Sequence, residues 1–161
     1  MRALTVIWSV LILTGCAATG PTSSPGYTAL IEAALPAEAG PLVMFGPGNW
    51  YPNTIGFTDV RSTAGYGATA PVSSAIVVGQ RAVVVEQWDD RTKTFNVMKL
   101  IKLSDISEAN IDTFFSGATR LVLRSADYSY NSFDFSDGAF LDNVKAKAFA
   151  SYLQQHIGVR R

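Results

Sequence analysis

SAIVVGQRAVVVEQW, residues 74–88, holds two apolar, β-branched runs on either side of Gly79 and Gln80. Valine and isoleucine are stiff at χ1 and pack well on a pleated surface, so both runs read as strand. They are either two strands around a tight turn or one strand carrying a bulge.

Outward from this stretch, the carboxyl-terminal side continues in the same manner. DDRTKT, Asp89 to Thr94, is a polar turn, and FNVMKLIKL, Phe95 to Leu103, is a strand. Phe95, Val97, Leu100 or Ile101, and Leu103 are expected to face inward there. Ser104 and Asp105 break it, and Ile106 to Phe115 is a further expected strand. After Ser116-Gly117, TRLVLRS alternates, with Leu121 and Leu123 inward and Arg120, Val122 and Arg124 outward. In DYSYNSFDFSD, residues 127–137, Tyr128 and Tyr130 share one parity and Phe133 and Phe135 the other. That change of phase predicts a turn or bulge near Asn131-Ser132. LDNVKAKAFASYLQQHIG, Leu141 to Gly158, is predicted to be a helix with Asp137 as N-cap and Gly158 as its stop. Leu141, Val144, Ala148, Phe149, Tyr152 and Leu153 form its expected apolar face.

On the amino-terminal side, YTALIEAAL (27–35) predicts a short helix ended by Pro36, with Leu30, Ile31, Ala34 and Leu35 along one side. PLVMFG (41–46) is a compact apolar strand that Gly46-Pro47-Gly48 is expected to stop. Gly46 to Ser74 is the least regular region, with Ile55 to Arg61 its one candidate strand. The expected class is α+β, mainly β: an antiparallel half-open barrel or sandwich closed by a carboxyl-terminal amphipathic helix.

The strand-turn-strand at 74–88, the KLSDI segment (102–106), RLVLRS, FDF and the final helix together resemble bacterial domains of the PH-like superfold, the PH and GRAM group. KLSDI resembles the "ipl-x-dI" stretch of that group at Leu103, Asp105 and Ile106, and the resemblance spans roughly Gly40 to Ile157. Phosphoinositide-binding members carry several lysines and arginines between the first two strands, whereas GPGNWYPNTIGFTDVR (46–61) offers only Arg61.

The leader has its own pattern. Met1 and Arg2 precede an apolar run from Ala3 to Leu13, which ends in Thr14, Gly15 and Cys16, the only cysteine. The run is shorter than the ~20 residues of a spanning helix and suits a secretory signal peptide. A plain signal or a mitochondrial-type presequence is the alternative reading. Leu13-Thr14-Gly15-Cys16 resembles the lipobox of bacterial lipoproteins, which implies removal of residues 1–15 and acylation of Cys16. Two or three fatty (palmitate-type) chains there suffice for stable anchoring without help from the domain. By the same resemblance, Ala17 implies sorting to the periplasmic face of the outer membrane. AATGPTSSPG follows, so 16–26 is expected to be a flexible tether spanning under ~20 Å, and 27–161 a single domain.

Loss of Arg2 with the leader leaves twelve basic residues against thirteen acidic ones. This near-neutral balance argues against nucleic acid and against electrostatic docking on anionic lipid. Chemistry is also sparse. His156 is the only histidine, and its place in the last helical turn suits dipole compensation or carbonyl capping. With no second histidine or cysteine a zinc site is not expected. Asp89 and Asp90 read as solvated turn residues, and Asp134-x-x-Asp137-Gly138 lacks the spacing of a calcium loop. No catalytic residue, metal or cofactor is assigned, and the expected activity is non-catalytic. Trp50, Tyr51 and Tyr66 are the candidate partner-binding residues, because aromatic side chains on a Gly/Pro-punctuated loop combine contact area with few rotors. The competing reading, preferred for Trp50, is that it covers the open end of the barrel and packs on its own domain. The expected function is that of an envelope lipoprotein acting through a protein partner. The alternative is a lipid- or peptide-binding module with a pocket beside residues 46–74.

Overall fold

The computed structural model describes residues 19–52, 71–113, 119–136 and 140–157. Cys16, the candidate strand at 55–61, Tyr66, Asp137 and Gly158 lie outside the described residues. A short helix α1 (Tyr27–Ala34) and a 3₁₀ turn (Ala37–Ala39) lead into seven strands: β1 (Leu42–Pro52), β2 (Val72–Gly79), β3 (Ala82–Asp89), β4 (Thr94–Lys102), β5 (Ile106–Thr113), β6 (Thr119–Ser125) and β7 (Tyr130–Phe135). Helix α2 (Asn143–His156) follows. The strands form one antiparallel sheet in the order β4-β3-β2-β1-β7-β6-β5.

Ile101 from one edge strand and Ile106 and Ala109 from the other meet in the same core with Ile76, Val83, Val85, Leu121, Leu123 and Phe133. The sheet therefore curls back on itself, and Ala146, Phe149, Ala150 and Leu153 of α2 fill the remaining side. This is the expected half-open barrel closed by a helix. Residues 74–88 are two strands, not one bulged strand, since β2 and β3 pair from Val78↔Val83 to Ala75↔Glu86.

β1 differs most from expectation. It runs through Gly46-Pro47-Gly48 to Pro52 instead of stopping there. Pro47 accepts a hydrogen bond from Ser136 N on the β7 side. Within a strand one residue's N and O point the same way, so its missing N–H also lies on that side and leaves the β1–β2 ladder intact. Gly48 is opposite Phe135, where a Cβ would strike the Asp134 carbonyl oxygen. Both residues break strands in general, yet here each fits a local backbone requirement.

Three further expectations shift. A bulge at Met98 separates Val85↔Lys99 from Glu86↔Val97, and Val97, expected inward, is exposed, as is Met98. It also flips the parity of β4, so Phe95 and Ile101 face opposite sides of the sheet. The change of phase before Phe133 is a turn at residues 126–129, not at Asn131-Ser132. Ser125 N donates to Ser129 O there, and Tyr128 sits at φ +63°. The pairing of β6 with β7 is then regular from Arg124↔Tyr130 to Leu121↔Phe133.

Helix α2 starts at Asn143, later than expected, and its N-cap is Asp142, whose Oδ1 accepts from Lys145 N at 2.8 Å. The buried stripe is Ala146, Phe149, Ala150 and Leu153, at the i, i+3, i+4, i+7 spacing. Leu141 and Val144, expected on that face, are exposed because they lie before the helix and on its solvent side. Asp142→Ala is expected to cost about 1 kcal/mol of stability. The check is the denaturation midpoint, with Asp142→Asn retaining most of the wild-type value.

The segment expected as a free tether is folded onto the domain from Thr19 onward. Thr22 N–Gly20 O, Ser24 N–Pro21 O and Tyr27 N–Ser24 O bonds make it a chain of turns. Tyr27 Oη donates to Thr19 O at 2.6 Å. Tyr27 and Ile31 of α1 are buried on the outer face of the sheet, forming a second, smaller core with Ala75, Val77, Ala82, Val84 and Phe95.

Candidate functional site

Trp50 and Tyr51, expected on a loop, lie on β1 and so point to opposite faces of the sheet. Trp50 faces the barrel interior, 9% exposed, opposite Phe133. Its Nε1–H donates to Asn131 Oδ1 at 3.0 Å, which satisfies both buried polar groups. With its ring packed and its one donor taken, Trp50 has no surface left for a partner.

Tyr51 faces outward into a polar cluster built across three neighbouring strands. Its hydroxyl donates to Asp134 Oδ2 at 2.7 Å, and Asn49 Nδ2 donates to Asp134 Oδ1 at 2.9 Å. The Arg120 guanidinium lies 3.8 Å from the centre of the Tyr51 ring, and its Nε is 3.8 Å from Asp134 Oδ2. Ser73 Oγ extends the chain to Asn49 Oδ1 at 3.0 Å. Burial, and then the bond to Asp134, push the Tyr51 phenol up to about 12, so it stays a donor at any physiological pH. Asp134 is itself 5% exposed, and its acceptor capacity is taken up by these neighbours. Such a network pins β1, β7 and β6 to one another and leaves neither a poised base nor a nucleophile.

The other titratable candidates are also committed locally. His156 Nδ1 lies 2.7 Å from Tyr152 O, and its ring stacks on Tyr152 at 4.0 Å in the last turn of α2. Asp89 and Asp90 hold the β3–β4 turn, and both carboxyls lie below the usual carboxylate range. The Arg91 backbone N–H lowers Asp89, and the Lys93 side-chain bond lowers Asp90. Among the described residues no three histidine, cysteine, aspartate or glutamate side chains group as metal ligands do, and no helix is long and apolar enough to cross a membrane. A cleft of about 320 Å³ lies between the end of β4 and the 126–129 turn, where Lys99 meets Asp105 and Asp127. Its mixed charges select no one ligand chemistry.

The surface that stands out is apolar. Phe140 is 75% exposed, Leu141 45% and Val144 79%, all within five residues at the start of α2. Sequence reasoning assigned Leu141 and Val144 to the core face of the helix and passed over Phe140. The usable signal was Asp142-x-x-Lys145: a cap at Asp142 starts the helix at Asn143 and sets its phase with Val144 outward.

No family model and no curated protein matches the sequence. Solved structures do match. The linker-DH/PH domains of p115-RhoGEF align with a TM-score of 0.50 and 9% identity, over 88% of this chain and 36% of that one. The Slm1-PH domain in complex with inositol-4-phosphate aligns at 0.48 and 12%, over 73% and 97%. The pleckstrin homology domain of USP37 aligns at 0.46 and 17%, over 73% and 100%. The chain spans about a third of the length of the DH/PH structures it matches. At such identities the likeness concerns the fold alone, and the fold is PH-like: a seven-stranded, antiparallel open sheet with a carboxyl-terminal helix.

Proposed function

We propose that this chain is a lipid-anchored, non-catalytic protein-interaction module of the bacterial cell envelope, held by acyl chains on Cys16 at the periplasmic face of the outer membrane. The anchor rests on Leu13-Thr14-Gly15-Cys16 at the foot of a short apolar run. A non-catalytic role agrees with a PH-like fold, a scaffold of binding domains, and with titratable side chains that serve their own neighbours.

The observation that carries the interaction role is the Phe140, Leu141 and Val144 surface. Large apolar side chains exposed within five residues of one another mark contact sites more often than scattered single exposures do. This surface replaces Trp50 as the candidate contact. Val144 is solvent-facing, so Val144→Asp costs the fold little, while a charge at the centre of an apolar contact weakens binding by about 2 kcal/mol or more.

The test is crosslinking in intact cells followed by mass spectrometry. Wild-type chain is expected to capture a defined partner, and Val144→Asp to lose at least about tenfold of it at equal abundance. Undiminished capture by that variant overturns the contact surface. For the anchor, mature protein from the native host is expected to begin at Cys16 with fatty acyl mass added, and Cys16→Ser to leave the membrane fraction. A mature chain that retains residues before Cys16, or carries no acyl group, overturns it.

A further inference from the structure

Glu86 is fully buried, and among the described residues neither of its carboxyl oxygens has a hydrogen-bond partner. Its place explains the burial. Along β3, Ala82, Val84, Glu86 and Trp88 alternate onto the outer face of the sheet, the face covered by the amino-terminal segment. Four aromatic rings surround this region. Tyr27 of α1 meets Phe45 at 5.7 Å and Phe95 at 5.8 Å, and Phe95 meets Trp88 at 5.2 Å. The acid also acts on Tyr27 electrostatically: together with burial it raises the Tyr27 phenol above its ordinary range.

The covering segment, Thr19–Ala39, is a strap fixed at one end. Arg81 holds that end, with its backbone N–H donating to Ala39 O at 2.8 Å and its Nη2 to Ala37 O at 2.5 Å. The remainder depends on packing. Helix α1 has eight residues, no side-chain N-cap bond and only Tyr27 and Ile31 buried. An isolated helix needs ~12–15 residues to be even marginal in water, so α1 exists only while docked.

We propose that the strap is a pH-gated cover: it closes over the protonated form of Glu86 and is released as Glu86 loses its proton. A neutral carboxylic acid in this apolar layer costs far less than an unpaired carboxylate, and exposure by undocking is the direct way to hydrate the charge. Among the described residues, those around the acid supply no counter-charge. From α1 the acid faces Tyr27, from β2 Ala75 with Pro47 of β1 beyond it, and from β4 Phe95 and Val97. The charged residues of those elements, Glu32, Lys99 and Lys102, are exposed, as is Glu38 of the 3₁₀ turn, while Asp89 is bound to the Arg91 N–H in the β3–β4 turn.

Burial pushes the Glu86 carboxyl up to about 8 from an ordinary 4.5. The docked state therefore holds a proton that the released state gives up between those values. Its advantage is complete below about 4.5, falls as pH rises, and levels off above about 8. One proton exchanged means up to about tenfold per pH unit in the docking equilibrium. For a chain anchored as proposed above, release would add Thr19–Leu35 to the leash and let the sheet stand further from the bilayer. That consequence rests on the anchor, whereas the switch does not.

The test is hydrogen exchange on the full chain from pH 5.5 to 9.5, corrected for intrinsic rates. Protection of the α1 amides is expected to fall by up to about tenfold per pH unit, to level off near pH 8, and to stay well below that of the β6 and β7 amides at every pH, because the strap opens without global unfolding. Glu86→Gln is expected to remove the slope and keep the strap docked throughout; Glu86→Met serves the same purpose should the glutamine variant fold poorly. A wild-type strap with no slope, a slope that survives either substitution, or α1 protection as high as that of β6 and β7 each overturns the proposal. None of these readings depends on acylation.

Discussion

Gly48→Ala is expected to leave the β1–β7 seam open and to cost about 3–5 kcal/mol, a large share of the 5–15 kcal/mol that holds a domain of this size. A Cβ at that position meets the Asp134 carbonyl oxygen and lies within 3.1 Å of Phe135 Cα. Those atoms are backbone and cannot swing aside as a side chain does. The site is also singular in topology, since β1 joins β4-β3-β2 on one side to β7-β6-β5 on the other. Separating β1 from β7 splits the sheet and breaks the Asn49–Asp134, Tyr51–Asp134 and Trp50–Asn131 bonds with it. Urea unfolding followed by tryptophan fluorescence should show the midpoint lowered by roughly 1–3 M. A midpoint within about 0.3 M of wild type would mean that the two strands do not approach as closely as described.

Trp50→Ala is expected to cost a further-reaching 3–5 kcal/mol, roughly, through the cavity it leaves beside Phe133. Asn131 is 3% exposed and loses its donor at the same time, which adds about 1–3 kcal/mol for an unsatisfied buried oxygen. Trp50→Phe separates the two contributions, because it keeps most of the packing and removes only the N–H. The same pair of variants decides between roles for this side chain. A surface hot spot truncated to alanine would change stability by less than about 0.5 kcal/mol and abolish binding. The packed indole instead predicts a thermal midpoint lowered by more than about 10 °C, with Trp50→Phe falling between.

Asp134 shows why such effects are invisible along the chain. It is 85 positions from Asn49 and 83 from Tyr51, yet it bonds to both. In sequence it looked like half of a poor calcium loop; in space it is the acceptor at the centre of a cross-strand network. Glu86 was equally silent. One acid in AVVVEQW carries no sign of burial along the chain, and only the docking of α1 on that face makes it a buried carboxyl with no partner among the described residues. The Met98 bulge hid in a similar way, since adjacent Val97 and Met98 suit either phase of a strand until the pairing with β3 selects one.

What the chain order determined by itself was the class and sequence of elements. Runs such as AIVV, AVVV and RLVLR declare strands through branched side chains and alternation, and AFASYL declares a helix through its spacing, because these are properties of neighbours within a few residues. Their succession with a closing helix indicated a half-open barrel or sandwich, and KLSDI with its neighbouring segments resembled the PH-like superfold. The direction of each aromatic, the start of α2, the path of β1 through Gly46-Pro47-Gly48 and the burial of Glu86 were decided only in three dimensions. Each depends on which backbone or side chain lies opposite, and that neighbour comes from a distant part of the chain that no local pattern encodes.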